Sequence, residues 1–86
     1  MDKKLFKNSE GNFHFGIKAP SDDYVSAELD ETKAAIKTLG ERKLWRCIVC
    51  NDMHFGKIPP KECPTCAAID AYIEINEKEF LTLING

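Results

Sequence analysis

The sequence has no apolar run near the roughly 18 residues that a membrane-crossing helix requires. Its opening, Met-Asp-Lys-Lys-Leu-Phe-Lys-Asn, lacks the apolar stretch of a secretory leader. It has no basic excess either: 12 Lys and Arg stand against 14 Asp and Glu, a formal net charge of −2. Nucleic-acid binding calls for clustered cations, and here acids interrupt the basic stretches around Lys3, Lys4 and Lys7 and over Glu41-Arg42-Lys43-Leu44-Trp45-Arg46. There is no Glu-x-x-His, no Ser-His-Asp set, no Gly-rich phosphate loop and no persuasive carboxylate pair. These absences set the expectation of a cytoplasmic protein with no membrane or nucleic-acid partner, and not a stand-alone enzyme.

What is present is small but foldable. Apolar residues make up 43% of the chain, with five Phe, two Tyr and one Trp, too many for a disordered segment. A chain of 86 residues buries only about 60% of the surface it exposes when unfolded. Domains of this size commonly need a staple such as a metal, a disulfide or a partner.

Two parts are expected: an N-terminal extension over 1–42, built from a strand and a helix, and a metal-binding module with a short final helix over 43–86. Residues 1–11 read as charged and loose. Phe13, Phe15 and Ile17 alternate with His14 and Gly16, which predicts a short strand. Val25, Leu29, Ile36 and Leu39 recur at near-helical spacing before Gly40, which predicts a helix over roughly 23–39. A competing reading takes 23–29 as a strand and caps a shorter helix at Asp30. Residues 43–46 and 71–75 read as strands, and the Gly- and Pro-containing segment 51–62 as a turn-rich hairpin. Asn76 followed by Glu79 fits a capping pattern, with Phe80, Leu83 and Ile84 on the inner face of the helix that follows.

The chemistry-bearing pattern is Cys47-Ile-Val-Cys50, twelve residues, then Cys63-Pro-Thr-Cys66, which uses every cysteine in the chain. A Cys-x-x-Cys turn aims both sulfurs at one centre while backbone N–H groups disperse thiolate charge. Two such knuckles facing each other give a tetrahedral four-sulfur site, with sulfurs about 2.3 Å from a zinc ion and similar distances for iron. The pattern predicts Cys47, Cys50, Cys63 and Cys66 as ligands of one metal ion. Two disulfides would need an oxidising compartment. A thioredoxin-type redox pair would need one such motif in a longer alternating fold, and a four-iron cluster a closer grouping of cysteines.

Trp45-Arg46-Cys47-Ile48-Val49-Cys50, His54-Phe55-Gly56-Lys57-Ile58-Pro59-Pro60 and Glu62-Cys63-Pro64-Thr65-Cys66 together resemble the rubredoxin-like domain at the C-terminal end of rubrerythrins. The resemblance spans about 43–75. It implies a rubredoxin-like or zinc-ribbon-like β-hairpin module; with the N-terminal strand and helix and the short C-terminal helix read above, the expected fold class is small α+β. It also implies one iron cycling between ferric and ferrous as a one-electron carrier, with a flavin reductase or another oxidoreductase as redox partner. Zinc fits the same cage as an alternative or substitute without redox chemistry; the protein would then be a structural interaction module. A further reading is a detached subunit of a larger oxidoreductase. Knuckles of this family usually continue with Gly. Asn51 is the next-best residue there, and Ala67 is less suited to a left-handed backbone, so an altered second turn is expected.

Ile48, Val49, Ile58, Trp45 and Tyr72 are expected to shield the centre from water. With four thiolates complete, His14 and His54 read as surface or packing residues. Asp52 and His54 read as a solvated loop, and Asp22, Asp23, Glu28, Asp30 and Glu31 as the wet face of a helix.

Overall fold

The computed structural model describes residues 3–85. Among the described residues, short segments carrying apolar side chains form six strands: β1 (Lys4–Lys7), β2 (Phe13–Gly16), β3 (Val25–Ser26), β4 (Lys43–Cys47), β5 (Met53–Gly56) and β6 (Tyr72–Ile75). Two helices complete the order, α1 (Leu29–Ile36) between β3 and β4 and α2 (Glu77–Asn85) at the end. All six strands join one antiparallel sheet in the order β3-β1-β2-β5-β4-β6. This is a small α+β protein. Among the described residues, no helix is long and apolar enough to cross a membrane.

The register sorts the sheet into two faces. One row across it runs Val25, Lys7, Phe13, Phe55, Leu44, Ile75. The next runs Ser26, Phe6, His14, His54, Trp45, Glu74, and successive residues of a strand point to opposite faces. The first row carries the main core. Phe13, Leu44, Met53 and Phe55 are buried with Ile36 of α1 and Phe80 of α2. The Phe55 ring lies 5.3 Å from Phe13 and meets Phe80 edge-on at 6.4 Å. The Arg42 guanidinium sits 4.8 Å over the same ring. It also donates to the carbonyls of Gly11, Leu39 and Thr38, tying the β1–β2 loop to the end of α1.

Several sequence expectations need correction. Within the N-terminal eleven residues, Lys4–Lys7 is an ordered strand between β2 and β3, while Met1 and Asp2 lie outside the described residues. The Asn8 side chain organises the hairpin, its Oδ1 accepting from the N–H groups of Glu10 and Asn12. Among its described residues, the segment 1–42 thus supplies three strands and a helix rather than one of each. The long helix over 23–39 is not formed. Val25–Ser26 pairs with β1, and α1 starts at Leu29, with Glu31 reaching back to the N–H of Glu28 at 2.7 Å. The competing strand-then-helix reading is closer, although Glu28 rather than Asp30 occupies the cap. The α2 start is as expected: Asn76 Oδ1 accepts from Glu79 N–H at 2.8 Å.

Candidate metal centre

β4 delivers Cys47 to the first knuckle, and Cys50 closes it. The second knuckle, Cys63 to Cys66, lies in the connection between β5 and β6. The two turns are built alike. Cys47 N–H donates to Asp52 O (2.7 Å) and Asn51 N–H to Cys47 O (2.9 Å). Likewise Cys63 N–H donates to Ala68 O (2.9 Å) and Ala67 N–H to Cys63 O (2.8 Å). Asn51 has φ 67° and Ala67 φ 63°. The altered second turn expected from Ala67 is therefore absent: Ala67 adopts the left-handed backbone that glycine would take, and the hydrogen bonds hold it there.

The four sulfurs lie within 4.8 Å of one another, and all four thiols are free. Across the knuckles, Cys47 Sγ is 3.7 Å from Cys66 Sγ and Cys50 Sγ is 3.5 Å from Cys63 Sγ. Sulfurs about 2.3 Å from a central ion at tetrahedral corners stand about 3.8 Å apart, so the cluster has the size of a four-thiolate site. A disulfide would need about 2 Å.

The electrostatics match. Burial pushes the Cys50 and Cys63 thiols up, so bare thiolates there are disfavoured without a cation. The N–H of Ala68 lowers Cys66, the N–H of Asp52 points at Cys50, and those of Cys66 and Thr65 point at Cys63. The Tyr72 hydroxyl is buried without a hydrogen-bond partner among the described residues and lies near Cys63, a position that favours the thiolate. Cys47 and Cys63 are fully buried, whereas Cys50 and Cys66 are half-buried and face the open side.

The expected shield is only partly present. Tyr72 and Trp45 are half-buried, and the Trp45 indole N–H donates to Gly56 O at 3.1 Å. Ile48, Val49 and Ile58 are exposed, Ile58 at 77%. The knuckle turn directs Ile48 and Val49 outward because the sulfurs on either side point inward.

Asp52 and His54, expected in a solvated loop, are buried. The reason is β2, which packs against β5 and brings His14 opposite His54. Their Nδ1 atoms are 3.0 Å apart. Burial and the neighbouring His14 drive the His54 pKa down to about 3. Burial opposes ionisation of Asp52, but the nearby His14 ring, the bond from Thr65 and the Lys3 ammonium outweigh it and bring its pKa down to about 2. Local pattern signalled none of these partners. The one trace is Gly16, where a Cβ would clash with Asp52 Oδ2.

Comparison with known proteins agrees with this geometry. Residues 45–74 match the family model for the rubrerythrin, rubredoxin-like domain. Rubrerythrin-1 of Clostridium acetobutylicum is 42% identical over 40 residues, which covers 46% of this chain and 20% of that protein. No solved structure gives a significant match. The chain thus aligns with about a fifth of this relative's length. Residues 45–74, with their four converging cysteines, are thus similar to the rubredoxin-like domain of rubrerythrins.

Proposed function

We propose that this protein carries single electrons on one iron ion held by Cys47, Cys50, Cys63 and Cys66. The observation that supports this most is the convergence of the four sulfurs within 4.8 Å inside a rubredoxin-like domain. When bound, the ion supplies a ferric–ferrous couple. The chain's residues do the rest. Two hydrogen-bonded knuckles hold the sulfurs in one geometry, so little rearrangement accompanies a change of charge. N–H groups of Asp52, Thr65, Cys66 and Ala68 stabilise the thiolates.

The half-buried Cys50 and Cys66 and the exposed Ile48 and Val49 offer the side on which another redox protein could approach. In this reading a flavin reductase donates and a second redox protein accepts, and the chain is an electron carrier rather than a stand-alone enzyme. Native protein purified anaerobically is expected to be red, with thiolate-to-iron charge-transfer bands that bleach with dithionite. Colourless native protein with stoichiometric zinc would overturn this proposal and leave a structural module.

A further inference from the structure

Asp52 follows the first knuckle by two residues, and its side chain is fully buried. Oδ1 lies 3.0 Å from Lys3 Nζ. Oδ2 accepts from the hydroxyl of Thr65, inside the second knuckle, and lies 3.7 Å from Cys63 Sγ and 3.5 Å from His14 Nε2. Lys3 Nζ also donates to Cys50 O, and Ile17 N–H to Thr65 Oγ1. Gly16 leaves the space that the carboxylate fills. Lys3, His14, Gly16 and Ile17 all lie outside the matched segment 45–74. The N-terminal strands therefore bring a cation to a buried carboxylate that touches one of the sulfurs.

We propose that Asp52 and Lys3 form a charge pair that sets the reduction potential of the metal centre, each pulling it in the opposite direction. This rests on the iron reading above. Reduction from ferric to ferrous takes one electron from the donor and no proton, so the site gains one negative charge. A carboxylate against Cys63 disfavours that gain. The Lys3 ammonium, held between the carboxylate and the Cys50 carbonyl, favours it. Removing either charge at this range shifts the ferric-to-ferrous ratio at a fixed potential by about tenfold or more, and tenfold is about 59 mV for a one-electron couple.

The test uses the full chain with iron reconstituted in vitro, so it can be run whichever metal the native protein carries. Dithionite titration against redox dyes gives the potentials of wild type, Asp52→Asn, Lys3→Met and Lys3→Arg. Asp52→Asn is expected to raise the potential, Lys3→Met to lower it, and Lys3→Arg to stay near wild type, with the charge-transfer spectrum unchanged throughout. Loosening of the site would move Asp52→Asn and Lys3→Met in the same direction, and that result, or no shift in either, overturns the proposal. Should Asp52→Asn fail to hold iron, the contrast between Lys3→Met and Lys3→Arg decides alone. A wild-type chain that does not form the charge-transfer bands even after reconstitution overturns both the pair and the iron reading, whereas a zinc-filled native protein overturns only the latter.

Discussion

Ala67 stands four residues after Cys63 in the same left-handed backbone that Asn51 adopts four residues after Cys47, with φ values of 63° and 67°. The second knuckle thus keeps its shape at the expense of an alanine held where its Cβ crowds the chain. The N–H of Ala67 cannot relax without releasing the Cys63 carbonyl it bonds.

Ala67→Gly is therefore expected to stabilise the metal-loaded protein by about 1 kcal/mol, because relief of the left-handed strain exceeds the extra freedom glycine gains on unfolding. Urea unfolding of the zinc-loaded form measures this. A glycine variant less stable than wild type would show that Ala67 is not strained.

Phe55 is fully buried between Phe13 and Phe80, under the Arg42 guanidinium. Phe55→Ala is expected to cost about 3–5 kcal/mol from lost burial and the cavity left behind. A midpoint change equivalent to less than about 1 kcal/mol would contradict the core described here.

His54 is held neutral, its pKa near 3 in the folded protein, against about 6.5 unfolded. The unfolded chain therefore binds the extra proton first. Stability from this residue is complete above about pH 6.5 and falls as acid is added, by about 1.4 kcal/mol per pH unit between the two values. His14 and Tyr24 lie against its ring, and burial pushes the Tyr24 hydroxyl upward, away from this range. Acid also protonates the thiolates, so the comparison is between wild type and His54→Gln from pH 7 to 5. The variant is expected to lose stability less steeply. Parallel slopes would mean that His54 does not stay neutral.

Removing the metal with a chelator under reducing conditions leaves four thiols in a partly buried cluster. Structural four-ligand zinc contributes about 10–16 kcal/mol in small peptides, so a drop of at least about 20 °C in melting temperature is expected. Circular dichroism during the melt follows it. An unchanged transition would show that the sheet stands without the ion.

Much of the site is legible in the sequence because its information is local. Each Cys-x-x-Cys turn fixes its own two sulfurs, and Asn76 with Glu79 marks the start of α2 within one turn of helix. The surroundings are not legible in the same way. His14 meets His54, and Lys3 meets Asp52, only through the pairing of β2 with β5 and β1 with β2. Such register is written in packing between distant segments rather than in any local period. Lys4–Lys7 reads as loose for the same reason: a strand of two lysines around Leu5 and Phe6 takes its order from the neighbours on either side. The outward Ile48 and Val49 could have been foreseen, since a turn with both flanking sulfurs aimed inward has little choice but to present its middle residues to solvent.

The placement of β5 between β2 and β4 bears on what survives if the backbone is severed between Gly40 and Lys43. The downstream fragment would keep all four thiols, yet one margin of β5 would be left with bare amides and carbonyls beside Met53 and Phe55. Such a margin is a template for stacking copies of itself. A trimmed metal-binding piece would thus be prone to self-association, and the cover supplied by Phe13–Gly16 acts as a guard against it as much as a scaffold.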